Sequence, residues 1–416
     1  MYSLIRDKYQ ELELPFKFPD MILPDCCNLQ SQPSIPSRPN SRVPRSNRIS
    51  TFRVDTPNPA IDYSHSIEDF LDSVPLEPTK YEYKKLKERD QRKHVIKIKA
   101  DAYKRKENLK FNRYINIHPY DFNRIKLESS LTGCDYVNGS HITGINSEKS
   151  SSDSTPIIDR SRSIDYSKYD NINFLAIQGP LPETLEHHWQ TIYENDVDII
   201  VMLTKLKEGE INGNPGNIKC EQYWPIDVGE TITYGNYDIC LNTEESLRPV
   251  TVKRQLYLLD TRAECDKRQT GKEKTLVQLH YVGWPDYGVP EENDHIVNLV
   301  KDVREIIKDD TSRQKKCNIL VHCSAGVGRT GTYIALYNLM EQIENIMKDR
   351  VDNQTTGTEN RNQQLNIFST VYELRSKRVE MVQSWAQYKY LYASVSAYAS
   401  MLNGSNTECD YVDYVM

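Results

Sequence analysis

The chain has 416 residues, 38% of them apolar and 27% charged, with 53 basic against 59 acidic side chains and a formal net charge of −6. That balance argues against a nucleic-acid binder, whose affinity comes from clustered Lys and Arg, and no run approaches the roughly 18 consecutive apolar residues of a membrane span. The opening MYSLIRDKYQELELPF lacks the charged-then-apolar order of a secretory leader. The nine cysteines are scattered, without metal-ligand spacing or the density of a disulfide framework. A reducing cytoplasmic setting is therefore expected, with the nucleus also open to the protein.

Eleven of the 20 prolines fall in the first 80 residues, whereas every glycine lies at Gly133 or later. Between Ser31 and Val54 five arginines (Arg38, Arg42, Arg45, Arg48, Arg53) stand among Pro and Ser with no acidic residue. Such a segment cannot bury enough apolar surface to offset its ordering entropy, so residues 1–80 are expected to be mostly disordered. Residues 84–106 carry eleven basic and three acidic side chains, which suits a solvated helix face better than a targeting or phosphate-attracting patch.

From about residue 81 to 402 the texture is that of one globular domain. Short β-rich apolar runs at 198–203, 274–282 and 317–323 predict buried strands, and helical patterns follow at about 292–308, 329–348 and 386–402. Polar inserts at 146–170, 209–216 and 351–364 read as surface loops, and 403–416 as an acidic tail. No internal repeat is present, which argues against tandem catalytic units.

The most informative segment is NILVHCSAGVGRTGTYIALYNLM, Asn318 to Met340. An apolar strand delivers Cys323, a turn of Ser324, Ala325, Gly326, Val327 and Gly328 follows, and a helix opens at Arg329. Small side chains let backbone N–H groups converge on one point, and the positive end of the helix dipole reinforces them, which makes an anion cradle. A cysteine beneath it is favoured as a thiolate nucleophile. Arg329 offers a planar fork matched to two oxygens of a phosphoryl group. A nucleotide-binding P-loop is excluded, because Gly-Arg-Thr stands where that loop needs Gly-Lys-Ser/Thr.

HCSAGVGRTGT resembles the signature loop of the classical, non-receptor protein tyrosine phosphatases. Further strings fit that family in order across about Asn108 to Met401: NRYINIHPYDFNRIKL, DYVNGS, IQGPLPETLEHHWQ, KCEQYWP, HYVGWPDYGVP and MVQSWAQY. The resemblance implies a single α/β domain with a twisted, mixed central sheet flanked by helices, and cysteinyl-phosphate catalysis that needs no metal or cofactor. It makes Asp286, after Trp284 and Pro285, the general acid and then base. Gln383 becomes the water-positioning residue, with Gln387 assisting; at i and i+4, a helical or near-helical segment would place both amides on one side. Thr330 resembles the hydroxyl residue bonded to the departing thiolate, and His322 the one that helps hold the cysteine in its thiolate form. Tyr114 resembles the ring that walls a pocket too deep for phosphoserine, with Asn116 where an acidic residue usually grips the peptide backbone. Glu208 and Lys219 resemble the pair that buttresses the arginine and the acid loop, although an insert separates them.

Three other departures are visible: Tyr287 where Phe is usual, Gly139 where Ala is usual, and the bulky Glu380 where some members have glycine, which would restrict access for a second phosphotyrosine. The partners so implied are phosphotyrosine proteins, acted on by a monomer. A mitogen-activated protein kinase that phosphorylates Thr56 or Thr155 is a further expectation, set against the plainer reading of solvated linker. The Asn- and Ser-rich inserts are reminiscent of fungal members. Two other functions stay in view: a dual-specificity or inositol-lipid phosphatase, which the NRY and Trp-Pro-Asp segments oppose, and a phosphotyrosine-binding scaffold, which would not need a general acid.

Overall fold

The computed structural model describes residues 63–71, 76–91, 98–128, 133–143, 172–209, 216–262, 273–286, 288–309, 316–356 and 364–405. Eleven strands are present among them: β1 (Arg124–Lys126), β2 (Tyr136–Ile142), β3 (Ile172–Ile177), β4 (Ile199–Met202), β5 (Lys207–Glu208), β6 (Asn217–Ile218), β7 (Thr231–Tyr234), β8 (Tyr237–Arg248), β9 (Thr251–Asp260), β10 (Lys274–Tyr281) and β11 (Cys317–His322). The principal helices are α1 (Ile67–Leu71), α2 (Lys80–Gln91), α3 (Leu185–Glu194), α4 (Asp294–Asp309), α5 (Gly328–Thr356), α6 (Ile367–Lys377) and α7 (Trp385–Ser405).

Nine strands form one mixed sheet in the order β1-β2-β3-β11-β4-β10-β9-β8-β7. Its centre is parallel, with β11 between β3 and β4 and β10 beyond β4; antiparallel pairs extend both flanks. The central strands read as continuous apolar runs because both faces are covered. Their side chains alternate between two cores. Ile199, Val201, Ile319 and Val321 face the cluster that includes residues of α4, α5 and α7, whereas Ile200, Met202 and Leu320 face Trp189 and Ile192 of α3. Parallel strands bring their C-terminal ends to one edge, where ligand sites of open α/β sheets form. Here that edge receives Gly179, Cys323, Thr204 and the segment leading to Asp286.

Fold contributions begin earlier than residue 81. Ile67 and Phe70 of α1 are buried in the main core, Phe70 lying 6.3 Å from the Tyr392 ring. The apolar spacing of IEDFL lets one turn anchor on α7, within a stretch whose composition reads as tail. Helix α5 likewise runs on to Thr356, six residues into the insert expected to start at 351, because extending a formed helix costs far less than starting one. The 146–170 insert and Tyr287 lie outside the described residues. Residues 210–215 of the 209–216 insert also lie outside the described residues; the strands on either side of them pair, Lys207 with Ile218 and Glu208 with Asn217.

Candidate active site

Cys323 follows β11 directly and is buried. The loop after it presses hard on the end of β3. Gly326 has φ +69°, and a Cβ there would sit 2.0 Å from the Ile177 carbonyl oxygen, so only glycine fits. Gly179 N–H donates to the Ser324 oxygen at 2.9 Å.

Arg378, wholly buried just after α6, gives the loop its shape. It donates to the carbonyls of Gly326 (2.8 Å) and Ala325 (3.2 Å), and to Asn138 Oδ1 (2.8 Å). Burial pulls its pKa down to about 10, which leaves it charged at neutral pH. In a trans peptide the N–H opposes the C=O. Drawing two carbonyls toward Arg378 therefore turns the N–H groups of Gly326 and Val327 the other way, as an anion cradle requires. The sequence reading missed this residue, whose partners are 52 and 240 positions away.

Thr330, one turn into α5, donates its hydroxyl to Cys323 Sγ at 3.3 Å. On the other side His322 is fully buried. Its Nδ1 meets the Cys323 carbonyl oxygen at 3.2 Å, an acceptor only, so Nδ1 carries the proton and Nε2 accepts from the Tyr223 hydroxyl at 2.9 Å. Desolvation lowers the His322 pKa to about 4, so the ring is neutral at physiological pH. Its contribution is that of a backbone donor and not of a cation.

Arg329 makes a two-pronged ion pair with Glu208: Nη1 to Oε1 at 2.5 Å and Nη2 to Oε2 at 2.9 Å. Thr204 bridges both partners, its hydroxyl accepting from Arg329 Nη1 at 3.2 Å and donating to Glu208 Oε1 at 2.9 Å. Nη2 also donates to the Pro285 carbonyl at 3.1 Å, and the guanidinium carbon lies 5.9 Å from the centre of the buried Trp284 ring. The arginine thereby ties β5 to the acid loop. Asp286 is exposed, and its Oδ2 accepts from the Gly209 N–H at 2.5 Å. Lys219 follows β6 on the ribbon that carries Glu208, but no ion pair joins Lys219 to Asp286 among the described residues; the backbone of Gly209 meets that carboxylate instead.

Tyr114 places its hydroxyl 2.9 Å from Ser324 Oγ, and Asn116 is exposed two residues on. The adjoining Arg113 locks this segment in place by donating to the carbonyls of Gly179, Ile218 and Pro180. Gln383 and Gln387 both lie beside Gly328: a Cβ on that glycine would be 2.9 Å from Gln387 Nε2 and 3.4 Å from Gln383 Cβ. They do not share a helix. Val382 has φ +57°, α7 opens only at Trp385, and Ser384 and Gln387 exchange side-chain and backbone bonds at 3.1 and 3.2 Å. That is a capping box, readable in the Ser-x-x-Gln spacing, and it gives Gln387 a helix-starting role.

These parts suit attack by a sulfur on a phosphoryl group held in a cradle of N–H groups and faced by an arginine fork. A family model described as protein-tyrosine phosphatase matches residues 108–397. Among curated relatives, the receptor-type tyrosine-protein phosphatase eta of Gallus gallus is 36% identical over 287 residues, covering 68% of this chain and 16% of that protein. The phosphatidylinositol phosphatase PTPRQ of Rattus norvegicus is 33% identical over 305 residues, covering 73% of this chain and 11% of that one. The chain thus spans under a fifth of the length of these relatives. Among solved structures, the catalytic domain of human protein tyrosine phosphatase non-receptor type 18 is similar with TM-score 0.58 and 25% identity, covering 77% of this chain and 95% of that one. The chain belongs to the protein tyrosine phosphatase family.

Proposed function

We propose that the protein hydrolyses phosphotyrosine in proteins through a cysteinyl-phosphate intermediate. The observation that carries this reading is the convergence of Cys323, the Arg329–Glu208 fork and the Trp284-Pro285-Asp286 loop, which Arg329 itself grips at Pro285. Cys323 Sγ attacks phosphorus while the tyrosine C–O–P bridge breaks on the phosphorus side, and Asp286 protonates the departing phenolate oxygen. Arg329 and the loop N–H groups hold the equatorial oxygens as charge redistributes. Asp286 then takes a proton from the water that Gln383 orients, and that water cleaves the S–P bond. A binding scaffold would not require the acid.

The site also supports a single-phosphotyrosine preference. Glu380 stands beside Gln383, bonded to its Nε2 at 3.2 Å, and the nearby Arg375 is fully buried and paired with Asp90 at 2.8 Å. Arg375 is thus engaged by Asp90, and the Lys87 ammonium lies 3.5 Å from Glu380 Oε2, so each cation faces a carboxylate. We include in the proposal a signalling role, a monomeric state and a cytoplasmic or nuclear location; Cys220, Cys240 and Cys323 are free cysteines, and no helix among the described residues is long and apolar enough to cross a membrane. A mitogen-activated kinase partner rests on Thr56 and Thr155, both outside the described residues.

The test is hydrolysis of matched phosphotyrosine, phosphoserine and phosphothreonine peptides and of an inositol phosphate, with chelator present. Turnover of the tyrosine peptide alone, abolished in Cys323→Ser and slowed in Asp286→Ala with binding retained, is the expected result. Turnover of all the peptides or of the inositol phosphate would replace the substrate class, and binding without turnover would make the protein a scaffold.

A further inference from the structure

Helix α2 lies outside the residues matched by the family model, yet it reaches the glutamine segment at three points. The Tyr83 hydroxyl donates to the Gln383 backbone oxygen at 2.5 Å. Asp90 accepts from Arg375 Nη1 at 2.8 Å, and the same guanidinium donates to the backbone oxygens of Met381 (2.8 Å) and Val382 (2.7 Å). The Lys87 ammonium lies 3.5 Å from Glu380 Oε2, the oxygen that accepts from Gln383 Nε2. One helix thus engages the backbone and, through Glu380, the side-chain amide of Gln383.

The segment needs such support. Glu380 and Val382 adopt φ +58° and +57°, a left-handed conformation that a β-branched valine strongly disfavours. It persists only where surrounding contacts over-determine it. Cys323, Arg329 and Asp286 have no bond to α2 among the described residues, so the helix acts on the glutamine and not on the groups that form the intermediate.

We propose that Tyr83, Lys87 and Asp90 are positioning residues for the second half-reaction, holding Gln383 where it orients the hydrolytic water; this rests on the role assigned to Gln383 above. In that step the water oxygen bonds to phosphorus and the S–P electron pair returns to Cys323 Sγ. The water proton passes to the Asp286 carboxylate, and inorganic phosphate leaves.

The experiment is rapid-mixing hydrolysis of para-nitrophenyl phosphate by the full chain, with acid-quench measurement of the cysteinyl phosphate, for wild type, Tyr83→Phe, Lys87→Met and Gln383→Ala. Phenylalanine keeps the ring that packs 5.7 Å from Trp385 and 5.5 Å from Tyr388. Both α2 variants should form the intermediate at the wild-type rate and hydrolyse it more slowly, by about fivefold for Tyr83→Phe, with the trapped phosphoenzyme rising to match. Loss of stability alone would not shift that partition. A proportional fall in both steps overturns the proposal, as does an unchanged partition in both α2 variants while Gln383→Ala accumulates phosphoenzyme. Failure of Gln383→Ala to accumulate it overturns the role of Gln383 and the proposal with it.

Discussion

Replacing Glu208 by glutamine tests the arginine fork with almost no change in volume. Glu208 accepts both guanidinium nitrogens of Arg329, at 2.5 and 2.9 Å, and the Thr204 hydroxyl at 2.9 Å. Glutamine keeps one accepting oxygen but turns an NH2 toward a guanidinium N–H, so two donors face each other and one charge-assisted bond is lost. Such a bond is worth about 1.5–3 kcal/mol, or about 10- to 150-fold in rate where the geometry serves the transition state. Both Arg329 and Glu208 are largely buried, their side chains 14% and 4% exposed, so screening by water reduces this little. The freed guanidinium would also loosen its hold on Pro285. The assay is kcat/KM on a phosphotyrosine peptide together with orthovanadate affinity. The expectation is a fall of at least about tenfold in kcat/KM, a parallel loss of vanadate affinity and a retained cooperative melt. A variant within about threefold of wild type in kcat/KM would refute the claim that Glu208 aims Arg329.

Arg378→Met should leave the Ala325 and Gly326 carbonyls and Asn138 without their buried partner, costing about 3–5 kcal/mol; a melt within a degree or two of wild type with unchanged vanadate binding would contradict the cradle argument. Gly326→Ala must accept both positive φ and the Ile177 carbonyl, at a cost of at least about 2 kcal/mol, read as a lowered urea midpoint. His322 and His280 are buried neutral, with pKa values lowered by desolvation to about 4 and about 3. The unfolded chain binds those protons first, so their stabilisation is complete above pH 6.5 and is lost as pH falls toward those values. Between pH 6.5 and 5 the loss is about 1–2 kcal/mol for each ring, and an unchanged urea midpoint at pH 5 would show that they are not held neutral. A bis-phosphotyrosine peptide should be turned over no faster than its single-site form, and Glu380→Gly should raise the ratio of bis- to single-site kcat/KM, which is set before the intermediate is hydrolysed; a large preference already in wild type would refute the gating role of Glu380.

What the sequence disclosed, and what it hid, follows from where each partner lies. Strand β11, the glycine-containing turn and helix α5 are contiguous, and the change from apolar run to small residues to helical pattern is visible within one segment. Cys323, Arg329 and Thr330 could therefore be placed on neighbouring elements without coordinates. Strand β8 is not among the predicted strands: Tyr237, Ile239 and Leu241 alternate inward, but its later residues TEESLR are largely polar and mostly exposed, and they are extended because β9 pairs with them across the hairpin. Arg378 and Tyr223 act through residues distant in the chain, which no local pattern encodes. The spacing of Gln383 and Gln387 suggested one helix face, but Val382 turns through positive φ first, and only the Ser384 cap signals that α7 starts later.

The proposed nucleophile and the proposed acid stand on supports of very different firmness. Cys323 issues from a strand flanked on both sides by parallel neighbours, so its position survives as long as the sheet does. Asp286 is the exposed residue of a segment whose Trp284 is buried, and its carboxylate meets the Gly209 N–H while Arg329 holds the Pro285 carbonyl beside it. Warming should therefore disengage the proton donor before the sulfur is displaced. Aryl phosphates whose leaving group departs without protonation would then continue to react at temperatures where phosphotyrosine no longer does, and the gap between the two inactivation curves would measure how loosely the acid loop is moored.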